Sequence, residues 1–140
     1  MTLTPAEITH VIQQGVPASE DSGFRVDEVT GRGVICRLPY SDRHLRPGGT
    51  LSGPAMMTLA DAAMYAAVLA RLGRIEMAVT QNLNINFLAR PRPADLVAEV
   101  EILKMGRRTV VLDVKLFSEG SPDVVAHATG TYSLPPAGGK

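Results

Sequence analysis

The chain is poor in the residues that mark a cross-linked, nucleic-acid-binding or metal-bearing protein. It has no tryptophan, three phenylalanines, three tyrosines and one cysteine, Cys36. A single cysteine excludes an intrachain disulfide framework and fits a reducing compartment. Its neighbours form a β-rich run, so Cys36 reads as a small buried hydrophobe rather than a nucleophile. Lys plus Arg number 14 and Asp plus Glu 14, and this balance argues against nucleic acid or an anionic membrane surface as the main partner. No Gly-x-Gly-x-x-Gly, P-loop, internal repeat or metal-type His/Cys spacing is present. The first residues, MTLTPAEITH, lack a basic stretch followed by an apolar run, so no secretory signal is expected. The long apolar run after Gly53 is broken by Asp61 and Arg71, which argues against a membrane span. The expectation is a cytoplasmic protein.

The 140 residues suit one domain, 1–140, large enough to bury a core without staples. Thr4-Pro5-Ala6-Glu7 has the form of a capping box, and the helix it opens should stop near Gly15. Its stripe of Ile8, Val11 and Ile12 makes it a short cover on the main body. The β-rich runs 24–29 and 34–38 flank Thr30-Gly31-Arg32-Gly33, whose glycines would supply the positive φ of a hairpin turn. Residues 39–49 read as an irregular polar loop holding Arg43, His44 and Arg46. From Gly53-Pro54 to Leu72 strong helix formers dominate, apolar or small on nearly every side, until Gly73 stops them. Such a helix has to be wrapped by other elements.

Beyond it, residues 78–89 alternate Leu83, Ile85 and Phe87 with Asn82, Asn84 and Asn86, the period of a strand. Further strands are predicted over 96–104, 109–117 and 124–134, with turns at Arg90-Pro91-Arg92-Pro93, Met105-Gly106-Arg107-Arg108 and Gly120-Ser121-Pro122-Asp123. Four strands in sequence suggest an antiparallel meander. The fold class is α+β: a long central helix against an antiparallel sheet of about six strands, two before the helix and four after it.

Asp61 is the first candidate for chemistry, because Leu59-Ala60-Asp61-Ala62-Ala63-Met64 sets a carboxylate in an apolar helix with no basic residue at i±3 or i±4. A buried unpaired charge is costly, so such a group has a function or a partner. It shares a helix face with Met57, Met64, Tyr65 and Val68. The plainer alternative is an aspartate facing water at a subunit edge, or bonded to a neighbouring loop. The N–H of Gly53, at the helix start, could stabilise an oxyanion, although on the residues alone ordinary capping is the favoured account. Ser52 lacks the Gly-x-Ser-x-Gly spacing of a nucleophile elbow. Met56, Met57, Met64 and Tyr65 could line an adaptable apolar pocket. Arg90, Arg92, Arg107 and Arg108 occupy turns, as solvated charges or as phosphate contacts; His44 reads first as a loop residue and second as a substrate contact.

Gly49-Thr50-Leu51, Gly53, Leu59-Ala60-Asp61, Leu83-Asn84-Ile85-Asn86-Phe87, Arg90-Pro91 and Gly106-Arg107-Arg108, in that order, resemble the hotdog-fold thioesterases, specifically the PaaI-like acyl-CoA thioesterase group. The resemblance spans Phe24 to Leu134. It implies a helix wrapped by a curved sheet and two subunits joined sheet edge to sheet edge, often paired again into a tetramer. The site would lie at the dimer interface. There Asp61 would attack the thioester or activate water, and the Gly53 N–H would polarise the carbonyl. Thr80 would assist, although its parity puts it with the Asn side chains, so that role requires a strand bulge or bend. Arg90, Arg107 and Arg108 would meet the phosphates of coenzyme A, which enters only as part of the substrate; no resident cofactor or metal is implied. Two positions depart from the family: Ser52-Gly53-Pro54 replaces His-Gly-Gly, and Arg46 stands where Asn or Gln is common. Ser52 and Arg46 thus become substrate-facing candidates, and an Arg46–Asp61 salt bridge would keep the carboxylate ionised. The departures also motivate a non-catalytic acyl-CoA or small-ligand binder, or a dimerisation module with an empty site.

Overall fold

The computed structural model describes residues 3–15, 22–41, 45–46, 50–73 and 78–135. Helix α1 (Pro5–Gly15) opens with the capping box: Thr4 N donates to Glu7 Oε1 (2.8 Å) and Glu7 N to Thr4 Oγ1 (3.1 Å). Its buried Ile8, Val11 and Ile12 pack it mainly against β1 (Arg25–Val29). Strand β2 (Gly33–Leu38) returns antiparallel to β1.

Helix α2 (Gly53–Leu72) is the centre of the molecule. Ser52 caps it, its hydroxyl accepting from Ala55 N at 3.1 Å, and Pro54 sits in the first turn, where a missing N–H costs nothing. Gly73, at φ +81°, closes the other end by donating its N–H to Leu69 O at 2.8 Å. Ten of the 20 residues are buried, from Ala55 to Leu69, too many for one stripe. They are covered because α2 touches α1, β1, β2, β5 (Val79–Phe87), β6 (Leu96–Met105), β7 (Thr109–Ser118) and β8 (Val124–Ser133). The helix is long and apolar enough to cross a membrane, yet it is the core helix of this fold.

The sheet is antiparallel in the order β1-β2-β6-β7-β8-β5. This corrects the four-strand meander: only β6, β7 and β8 follow one another, while β5 lies beyond β8 and β2 takes the free edge of β6. The connection Arg90-Pro91-Arg92-Pro93 is suited to this path. Two prolines hold the chain extended and lack N–H donors, so the segment carries over the sheet instead of reversing into a hairpin. Leu88 and Ala89 donate to Val125 O (2.8 and 3.1 Å) as the chain leaves β5. The strand that follows the helix is therefore one of the two edges, β1 being the other.

Two smaller expectations also change. Neither Gly31 nor Gly33 has positive φ; Thr30 makes the β1–β2 turn by accepting Gly33 N (2.9 Å) and Arg32 N (3.2 Å) on Oγ1. Gly33 serves close approach instead, since a Cβ there would lie 2.0 Å from Val100 O. Within 39–49, Leu45–Arg46 (β3) pairs with Thr50–Leu51 (β4) as a two-residue ribbon. Cys36 is fully buried on β2, and burial pushes its thiol pKa up, away from nucleophilic use.

On the outer face Arg37 of β2 ties four strands together. It donates to Asp27 on β1 (2.8 Å), Asp95 before β6 (3.2 Å) and Glu119 after β7 (2.7 Å). Hydrogen bonding to Asp27, followed by the other two carboxylates, raises the Arg37 pKa further and secures its charge against partial burial.

Candidate active site

The site forms where the middle of α2 meets the beginning of β5 and the end of β8. Asp61 is half-buried on the helix. Thr80 Oγ1 donates to Asp61 Oδ1 at 2.7 Å, and Tyr132 OH lies 2.9 Å from the same oxygen and 3.1 Å from the Asp61 carbonyl. Among the described residues no hydrogen bond reaches Oδ2. A carboxylate oxygen has two lone-pair directions. The two hydroxyls saturate Oδ1 and leave Oδ2 as the oxygen open to a reacting group.

A bulge in β5 makes this arrangement. Thr80 pairs with Tyr132, but Asn82 pairs with Thr131, so β5 advances two residues while β8 advances one. The extra residue, Gln81, reverses the parity of everything before it. Asn82, Asn84 and Asn86 stay exposed on the outer face, while Thr80 joins Tyr132 on the face turned to the helix. The bulge that the Thr80 role demands is therefore present.

Tyr132 is the residue that sequence reading passes over. It follows Ala126, Ala128 and Gly130 on the buried face of β8, and a large phenol after small residues, on a face against a helix, needs a partner for its hydroxyl. That signal is readable, but the partner is 71 positions away. Burial first, and then the nearby Asp61 charge, push the phenol pKa well above the usual tyrosine range, so Tyr132 acts as a hydrogen-bond donor. Tyr65, one turn beyond Asp61, stacks on it with ring centroids 6.0 Å apart and planes 4° from parallel.

Met64 and Gly130 set the spacing. Met64 is fully buried, and a Cβ on Gly130 would lie 2.6 Å from its Sδ. The helix can approach β8 this closely only because residue 130 has no side chain. Met56 is buried as well, so neither methionine lines an open surface of the protomer, whereas Met57 is 43% exposed.

The other candidates lie elsewhere. Gly53 begins α2, eight residues before Asp61, roughly 12 Å away along the axis at 1.5 Å per residue. Its Cα side is covered by Phe87 at the far end of β5, 3.3 Å from an ideal Cβ. Its N–H has no partner among the described residues. Ser52 Oγ is engaged as the cap acceptor. Exposed Arg107 and Arg108 turn from β6 to β7 at the Thr80 end of the sheet, where Leu134 N donates to Arg108 O (2.8 Å). Arg90 is exposed at the opposite end, after Phe87. The side chain of Arg46 and all of His44 lie outside the described residues, and so does the expected Arg46–Asp61 pair.

A central helix wrapped by a six-stranded antiparallel sheet is the hotdog fold. Residues 48–125 match the sequence model of the thioesterase superfamily, and the chain belongs to that family. Its fold is similar to the crystal structure of a candidate thioesterase from Silicibacter sp. TM1040, with 41% identity, a TM-score of 0.87, and 96% of this chain and 93% of that one covered. It is also similar to a variant of the phenylacetic acid degradation protein PaaI from Thermus thermophilus, at 26% identity and TM-score 0.74, covering 85% and 99%. A candidate esterase from Saccharolobus solfataricus is 30% identical over 96 residues, 69% of this chain and 63% of that protein's length. Thioester hydrolysis is the activity these relationships support.

Proposed function

We propose that the chain is a cytoplasmic, PaaI-like acyl-CoA thioesterase whose site is completed by a second copy of itself. The observation that carries this reading is the one-sided tethering of Asp61, with Oδ1 held by Thr80 and Tyr132 and Oδ2 open. Such a carboxylate can work in two ways. As a nucleophile, Oδ2 bonds to the thioester carbonyl carbon, the C–S bond breaks, the thiolate departs, and water hydrolyses the resulting anhydride. As a general base, it takes a proton from water while the hydroxide attacks the same carbon, then returns the proton to the departing sulfur.

Either route needs a donor for the developing oxyanion, and Gly53 of the same chain is too far away to provide it. A free sheet edge supports a second copy as its source. Strand β5 is an unpaired sheet edge, flanked by exposed Val79, Phe87 and Leu88. A two-fold axis at this edge runs two β5 strands antiparallel. The Thr80 end of one strand then meets the Phe87 end of the other, bringing Gly53 of the second copy toward Asp61 of the first. The same pairing draws together arginines otherwise about 26 Å apart along nine residues of strand. Arg107 and Arg108 of one copy and Arg90 of the other would flank the phosphates of coenzyme A. Exposed Met57 and half-buried Tyr65 would face the acyl group. Coenzyme A is here part of the substrate.

The test is thiol release over short, medium, long and aromatic acyl-CoAs, comparing the natural chain with Asp61→Ala. The variant is expected to fold normally and to lose about two to four orders of magnitude in turnover. Equal turnover by the variant on the best substrate would sink the assignment. Saturable binding of acyl-CoA with no release over the whole panel would replace it with the non-catalytic binder.

A further inference from the structure

We infer that Tyr132 is a positioning residue that selects which oxygen of Asp61 reacts. The inference rests on the thioesterase reading of Asp61 for its kinetic consequence, but the contact it describes stands on geometry alone.

A carboxylate on a helix has rotational freedom about both side-chain bonds, and its two oxygens are chemically equivalent until something distinguishes them. The phenol of Tyr132 touches Asp61 twice, at Oδ1 (2.9 Å) and at the backbone carbonyl (3.1 Å). One hydroxyl proton cannot fully satisfy both acceptors, so the phenol sits as a wedge between side chain and main chain and fixes the side-chain rotation. Thr80 alone could not do this, since its single contact would follow the carboxylate as it turned. Tyr132 is only 3% exposed, and its ring is held against Tyr65, so the wedge is rigid. It also cannot become an acceptor by ionising, because burial raises its pKa. Oδ1 is thereby held as the anchored oxygen and Oδ2 is directed away from the two hydroxyls, toward the side that the substrate must approach.

The experiment uses the full-length protein with Tyr132→Phe, which keeps the ring and its stacking and deletes the hydroxyl. In steady-state thiol release kcat is expected to fall about tenfold while KM stays within about twofold, the loss of one hydrogen bond to a charged group. In parallel, isotope-edited infrared spectra of protein labelled with aspartate 13C at the side-chain carboxyl are recorded. The difference between natural chain and Tyr132→Phe should contain a carboxyl band that vanishes when the same difference is taken in an Asp61→Asn background. Replacing Tyr132 by 3-fluorotyrosine retains the fold and strengthens the donor, and should move that band in the opposite sense. An unchanged kcat, a rise in KM alone, or no Asp61-dependent band would each overturn the inference. If the natural chain releases no thiol from any acyl-CoA, the thioesterase reading fails, and the infrared band alone decides whether Tyr132 positions Asp61.

Discussion

Thr80 and Tyr132 sit opposite each other on neighbouring strands, and their hydroxyls converge on a single oxygen of Asp61. A regular ladder would place Thr80 with Asn82 on the outer face. The pairing exists because β5 carries one more residue than β8 across this step. The candidate nucleophile is thus held by the two strands together, and anything that alters their register or their distance from α2 should register as lost activity.

Gly53→Pro isolates the proposed oxyanion donor. Ser52 has φ −76° and ψ 155°, the extended geometry that a residue before proline adopts, and proline suits the first turn of a helix. The half-exposed Phe87 ring has room to yield to the added carbons. The variant is expected to fold and to lose about 10²–10³ in kcat. Mixing it with Asp61→Ala under conditions that exchange subunits should restore about a quarter of the natural rate, because half the dimers are mixed and each regenerates one intact site. A mixture no more active than its components would place both groups in one subunit or deny the pairing.

Gly130→Ala tests the spacing between helix and sheet. The new methyl would meet Met64 Sδ and Cε at 2.6 and 2.7 Å and Asn82 O at 2.9 Å. The thioether can move, but the carbonyl beside the bulge cannot without disturbing β5. The expected cost is about 1–3 kcal/mol by denaturant unfolding. Turnover should fall at temperatures where the variant is still fully folded, since Asp61 is lifted from Tyr132. Loss of stability with turnover intact would show that the bulge tolerates the shift.

Arg37→Met should destabilise the outer face by about 1–2 kcal/mol at neutral pH, leaving Asp27, Asp95 and Glu119 without their shared cation. The pH dependence follows from Asp27. Burial alone would raise its pKa, but hydrogen bonds from Arg37 and then Arg25 hold it below the ordinary 3.8. A depressed carboxylate pKa contributes stability above the unfolded-state value, and that contribution is lost as pH falls through the folded-state value. The gap between natural chain and variant, measured by urea titration, should therefore be full near pH 6 and shrink below pH 3.8. A gap independent of pH would assign the effect to packing of the Arg37 stem.

Much of this fold can be read from the residues because the local signals are strong and agree with one another. The capping box at Thr4, the stop at Gly73 and the alternation of Leu83 and Ile85 with the asparagines each act over a few positions, and each reappears in the structure. Strand order is different in kind. Adjacency of β5 and β8 is decided by how the sheet closes around α2, and a short connection invites the wrong neighbour. Asp61 is legible as a charge out of place. Thr80 is legible only through the resemblance, with the bulge as its stated condition, because neither Thr80 nor Gln81 advertises an irregular ladder. Tyr132 shows how long-range contacts escape: its parity reveals burial, but nothing local names its partner.

The extra residue at Gln81 has a consequence for how the strand divides its labour. On one side of it β5 speaks to the interior through Thr80; on the other, its asparagines speak to the exterior. The two halves run out of phase, like a zipper with one tooth added. Ironing the bulge flat with every residue kept would pair Gln81 with Tyr132, leaving composition, length and hydrophobicity untouched, yet would rotate Thr80 to the outside and leave Asp61 a single anchor. The strand would remain a strand, and Asp61 would hang from Tyr132 alone.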